Sequence, residues 1–283
     1  MLKQPVTVLV CKTLGAILPH LDTSFRINPH HGLRHAKDLL GRAALLGEKL
    51  DATDRIDWRV LTAAACFHDA ASKWETHGEE GAAMAREVLS KVDGFGAEEI
   101  GRVAAACRLH EDRSPKGAAD RKTAGLEMQI LYDVDQLEAF GIKGIYRYVA
   151  IYTERGTSLD DILPDVRARY ESLTFEETRA LAKKDFAFSE SFLIRRQQEQ
   201  HARGRLVGAG GITDWIRENP GLLPAELAGH ALEAIEKEDD TPEMRYARAF
   251  FNALKCAYAA EGAADGAGEE QGRHHRSRGS AHP

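Results

Sequence analysis

The chain has 283 residues, 43% of them hydrophobic and 7% aromatic, with a formal net charge of −6 at pH 7. That is enough apolar material for a real core in one large domain or one and a half. Acidic and basic residues are interspersed, which excludes a broad positive face for extended nucleic-acid binding but leaves room for a small cationic pocket.

Nearly every segment carries helical periodicity, so the expected fold class is all-α. Val6–Val10 is the one plausible strand, although Lys12–Leu18 equally fits a first helix. Pro29 and Gly32 punctuate a helix start, and helix formers then run to Leu50. Trp58–Ser72, Gly81–Val92 and Glu98–His110 read as the next helices. Glu111–Arg121 reads as a charged loop, a candidate lid. Gly125–Ala139 and Ile142–Thr153 follow as helices, then Leu159–Leu173, Phe175–Arg203, Gly211–Glu218, Pro224–Glu238 and Pro242–Ala260. Thr174 is placed to cap the helix that follows it. The cluster Phe186, Phe188 and Phe192 reads as core. Past Glu261 the composition is that of a disordered tail.

Within Leu61–Ala71 an almost wholly apolar run reaches His68 and Asp69 side by side. A buried, unpaired carboxylate costs several kcal/mol or more, so Asp69 calls for a cation or donors, and a divalent metal answers that need. His and Asp together suit Mn, Fe, Co, Ni, Zn or Mg. Other segments offer matching groups. His31 and His35 share one helix face at i, i+4, Asp135 sits among apolar residues, and His77 and His110 lie at helix ends between them. Helices that project His and carboxylates inward form a typical bundle metal site.

In this order and in these apolar frames, the residues resemble the HD-domain superfamily of metal-dependent phosphohydrolases. The likeness covers roughly residues 27–150. Phe67-His68-Asp69 matches the doublet, and His35-Ala36-Lys37-Asp38-Leu39-Leu40 matches the first His opening an apolar helix. Asp133-Val134-Asp135-Gln136-Leu137, followed by Phe140–Arg147, matches the closing Asp segment of bacterial HD hydrolases. Ser72-Lys73-Trp74 and His77-Gly78-Glu79-Glu80-Gly81-Ala82 fit small bacterial members. One departure counts against monophosphatase activity: Ser72 and Lys73 stand where HD deoxynucleotide 5′-monophosphatases place a Glu.

The resemblance implies His35, His68, Asp69 and Asp135 as metal ligands, with His77 and His110 as candidate ligands of a second ion. It implies one or two divalent ions and a small phosphorylated substrate, with a nucleotide the leading class. A divalent ion acidifies its bound water and neutralises phosphoryl oxygens, and four protein ligands leave an octahedral ion two open positions. Asp69, Lys73, His77 and His110 are the candidate catalytic groups, with Asp69 bridging two metals or orienting a water. Lys73 would bind phosphate or protonate the leaving group. Arg147 would contact phosphate or pair with Glu138 or another nearby carboxylate. His31 would cap or buttress its helix, and Asp133 would hydrogen-bond behind the ligands or help start a helix.

Residues 1–26 would form an N-terminal extension, 27–155 the HD core, 156–260 a helical region packing on it and 261–283 the tail. Cys11, Cys66, Cys107 and Cys256 form no C-x-x-C pair. No signal peptide and no run of the roughly 20 apolar residues that cross a bilayer is found, so a cytoplasmic location and no membrane partner are expected, with a homodimer as a candidate assembly. Two rival readings share the ligand pattern: a di-iron HD oxygenase acting on a small organic substrate, and a non-catalytic binding module stabilised by its metal.

Overall fold

A computed structural model describes residues 4–21, 32–70, 76–199, 208–237 and 240–273. Every regular element among them is helical, so the fold is all-α. The chain divides into two compact units, Met1–Glu138 with Arg167–Lys184, and Ala139–Val166 with Asp185–Pro283. Among the described residues no helix is long and apolar enough to cross a membrane.

The first unit contains α1 (Gln4–Ile17), α2 (Leu33–Lys49), α3 (Trp58–Phe67), α4 (His77–Leu89), α5 (Ala97–Leu109), α6 (Pro115–Ala124) and α7 (Leu126–Gln136). Its centre is α3, in which every residue except Arg59 is buried. A helix apolar all round must be enclosed, and α1, α2, α4, α5 and α7 all pack against it. Ala63, Ala64 and Ala65 keep its girth small. Asp57 starts it, its Oδ1 accepting the N–H groups of Arg59 and Val60 at 3.2 Å.

In the first unit two elements differ from the sequence expectation. Val6–Val10 is helical, not a strand. Its β-branched residues favour strands locally, but Val6, Val10, Leu14 and Ile17 fall on one helical face that packs on the core. Residues 115–121 of the supposed lid loop belong to α6. Ser114 caps it, accepting from Gly117 N at 3.0 Å, and Pro115 occupies the first turn. Arg121, 1% exposed, holds α6 inward. Its guanidinium lies 3.4 Å from the Tyr132 ring centroid and donates to the carbonyls of Leu109 and Asp112.

In the second unit α8 (Gly141–Glu154) packs against α11 (Gly208–Glu218) and α13 (Pro242–Arg273), and α12 (Pro224–Ile235) lies on α13. The backbone of α13 continues through residues 261–273, which composition alone had placed in the tail. Of the three phenylalanines expected in the core, Phe192 is fully buried, 5.4 Å from the Phe250 ring, whereas Phe186 and Phe188 are half-buried. The boundary between the units falls within α9 (Ile162–Glu171) and within α10 (Glu176–Gln198).

Asp133, on α7, starts α10. Its carboxylate accepts the N–H of Thr174 at 2.7 Å and of Phe175 at 3.0 Å. Burial pushes its pKa up, and those two N–H groups oppose the rise. Asp133→Ala removes the acceptor of an exposed N–H at Thr174 and a half-buried one at Phe175. It is expected to destabilise the fold by about 1–2 kcal/mol, read as a shifted urea midpoint, with metal content unchanged.

Candidate metal centre

The site lies wholly in the first unit, where helix ends converge. His35 is in the first turn of α2. His68 is the C-cap of α3, with Asp69 just after it. His77 is the first residue of α4, His110 the C-cap of α5, and Asp135 lies in the last turn of α7. Three of these five ends are helix C-termini, whose partial negative charge favours a cation.

His35, His68, Asp69 and Asp135 bring one donor atom each within 4.8 Å of one another, and so do Asp69, His77 and His110. Asp69 belongs to both sets through different oxygens. Its Oδ2 lies 3.5 Å from His35 Nε2 and 3.4 Å from His68 Nε2. Its Oδ1 lies 3.7 Å from His77 Nε2 and 3.4 Å from His110 Nε2. Asp135 Oδ1 completes the first set, 3.6 Å from His35 Nε2 and 3.9 Å from His68 Nε2. Ligand bonds of about 2.0–2.2 Å separate neighbouring donors by about 2.8–3.6 Å in octahedral or tetrahedral geometry, which is close to this spacing.

Hydrogen bonding fixes which imidazole nitrogens face inward. His68 Nδ1 donates to Ala65 O at 3.1 Å, and His110 Nδ1 to Cys107 O at 2.7 Å. His35 Nδ1 donates to Glu138 Oε2 at 3.0 Å. A neutral ring that donates from Nδ1 has a bare lone pair at Nε2. Yet His35 Nε2 and His68 Nε2 lie 3.1 Å apart, as do those of His77 and His110. For His35 and His68, both held from Nδ1, two lone pairs at that distance repel unless a cation or proton lies between them. His77 and His110 converge at the same spacing beside Asp69 Oδ1, and the donors of each set fit a divalent ion.

The electrostatics of the two sets differ. Burial pushes the His68 pKa down to about 4, which leaves it neutral and able to ligate. Burial opposes charge on His110 too, but the hydrogen bond and charge of Asp69 raise its pKa to about 9, so this nitrogen holds a proton that a bound ion has to displace. Burial also works against ionising Asp135, and the His68 and His35 rings hold its pKa below the ordinary value. The Cys66 thiol, pushed up to about 12 by burial, is a packing group.

Six of the sequence candidates thus meet: His35, His68, Asp69, His77, His110 and Asp135. Lys73 and His31 lie outside the described residues, and Arg147 belongs to α8 in the second unit. Asp133 caps α10 and does not support a ligand. Two carboxylates carry no pattern that singled them out for the site. Glu138 contacts His35, and Arg42 lies 3.9 Å from its other oxygen. Glu111 Oε2 lies 3.4 Å from His77 Nε2. The available signal was position: Glu138 follows Asp135 by one helical turn, and Glu111 follows His110 directly.

A carboxylate behind a ligating imidazole orients the ring and makes it more basic. Glu138→Gln is expected to weaken metal binding in the first set about 10–100-fold, measured by chelator competition. An unchanged affinity would mean that Glu138 is only packed there.

No family model and no curated protein matches the chain. Among solved structures it is similar to a predicted HD superfamily hydrolase from an uncultured Thermotogales bacterium (22% identity, TM-score 0.42, 69% of this chain and 92% of that one). It is similar to Bacillus subtilis YpgQ, solved in complex with ADP (18% identity, TM-score 0.44, 70% and 95%). It is also similar to a Lactobacillus plantarum protein (16% identity, TM-score 0.49, 71% and 100%). The chain is thus similar to the HD superfamily in its motifs, and a predicted HD hydrolase is among the solved structures it is similar to.

Proposed function

We propose that this protein is a divalent-metal-dependent hydrolase with a two-ion centre, cleaving a phosphate ester or anhydride of a small molecule, with a nucleotide the leading class. The observation that carries this reading is Asp69, whose two oxygens face two separate histidine-bearing sets. His35, His68 and Asp135 would hold one ion, His77 and His110 the other, and Asp69 would bridge them. Bound ions supply Lewis acidity, acidifying water and neutralising phosphoryl oxygens. The protein holds its donors rigidly. The inward nitrogens of His35, His68 and His110 are each set by a hydrogen bond on the opposite side of the ring, so little reorganisation is needed. His35, His68 and His110 seal the inner side. Asp69 and Asp135 keep 14% and 13% of their side-chain surface exposed, which leaves the approach for substrate on their side. Lys73 is assigned to the substrate phosphate from sequence position alone.

The test is elemental analysis of tag-free protein, then a phosphate-release screen with the metal found. The screen covers nucleoside mono-, di- and triphosphates, pyrophosphate and a chromogenic phosphate ester. About two equivalents of metal and metal-dependent release from at least one compound are expected. No uptake of Mn²⁺, Co²⁺, Fe²⁺ or Mg²⁺ would sink the hydrolase and leave the binding module. Iron-specific uptake with oxygen consumption and no phosphate release would move the assignment to a di-iron oxygenase.

A further inference from the structure

The two donor sets are unequal. The first has four protein groups; the second has Asp69, His77 and His110. Glu111 stands beside the second. Its Oε2 is 3.4 Å from His77 Nε2, as close as His110 Nε2 is to Asp69 Oδ1. Its side chain is 39% exposed, so it reaches the set from the solvent side, whereas His110 is buried.

Glu111 stands on a held stretch of backbone. Residues 109–112 form a turn in which Asp112 N donates to Leu109 O at 3.3 Å. The buried Arg121 donates to both Leu109 O and Asp112 O, clasping the carbonyls on either side of His110 and Glu111. On the facing side Gly78 brings the first turn of α4 onto the last turn of α5. A Cβ at Gly78 would lie 2.9 Å from Cys107 O, so only glycine allows this approach without a shift. His77 and His110 are therefore brought together by main-chain contacts, and Glu111 sits beside His77 but outside the three donors that lie within 4.8 Å of one another, so its exposed side chain has to swing inward to join them.

We propose that Glu111 supplies the fourth protein donor of the second set, closing it from the solvent side. The proposal rests on the two-ion reading above. It makes the outer ion's affinity depend on a residue that the inner ion does not touch.

Full-length protein is titrated with Co²⁺, following visible absorption and bound metal by equilibrium dialysis, for wild type, Glu111→Gln and Glu111→Ala. Wild type is expected to bind two equivalents. Both variants should bind the first with unchanged affinity, which also reports an intact fold. They should bind the second at least about 100-fold more weakly, with an altered band, beyond the 10–100-fold range typical of groups that only support a ligand. A loss of less than about 100-fold in the second equivalent overturns Glu111 as a ligand and leaves the two-ion reading standing. A single equivalent in wild type overturns the two-ion reading and Glu111 with it.

Discussion

Asp69→Ala is expected to abolish stable binding of both ions and to lower any metal-dependent hydrolysis by at least about 1,000-fold. Each donor set contains one Asp69 oxygen, so a single substitution removes an anionic ligand from both. The histidine pairs are left with inward nitrogens 3.1 Å apart and less negative charge to hold a cation between them. Asp69→Asn grades the effect. Its amide keeps one oxygen, so it can serve one set only, and about one ion should remain. His110→Ala should also leave one ion, because the first set is intact. Elemental analysis after dialysis measures all three. Two ions retained in Asp69→Ala would remove Asp69 from its bridging role.

The sequence marked six residues of this cluster because its signal is contrast. His68 and Asp69 end a run of Ala, Cys and Phe in which a polar pair needs a reason. His35 and Asp135 lie in similarly apolar frames. Glu111 and Glu138 gave no contrast: each stands near other charged residues, and Glu on a helix or turn is usually a solvated face. Only their proximity to His77 and His35 distinguishes them, and proximity is a tertiary fact. The helix α6 was hidden for a related reason. Its inward anchor is Arg121, and a buried arginine defeats a reading by hydropathy. Val6–Val10 misled in the opposite direction, because a short apolar run looks alike in a strand and on a buried helix face. The hydrophobic pattern thus described the enclosure of α3 well. It described the charged groups that complete the metal centre poorly, since their partners are charges, rings and main-chain carbonyls.

The glycines of α4 connect the fold to the chemistry, and the second large expected effect concerns them. A Cβ at Gly81 would lie 2.4 Å from Phe67 O, the main-chain carbonyl that ends α3 just before His68. Main chain cannot swing aside as a side chain can, so α4 or the His68-Asp69 turn must move. Gly81→Ala is expected to cost about 2–3 kcal/mol, at the upper end for overpacking, even though alanine is the better helix former by about 1 kcal/mol. Gly78→Ala meets Cys107 O at 2.9 Å, a lesser clash at the other junction. It should cost less stability while displacing His77 from His110, so the second ion weakens and the first does not. Gly101, on the exposed side of α5, has nothing within 4 Å of its would-be Cβ. Gly101→Ala should stabilise by about 0.5–1 kcal/mol through the unfolded chain. Three identical substitutions in neighbouring helices thus carry three different expected outcomes. Urea midpoints combined with metal content separate them. If Gly81→Ala were as stable as wild type with both ions bound, then α4 does not press on the end of α3, and the close approach that assembles the second set would have to be abandoned.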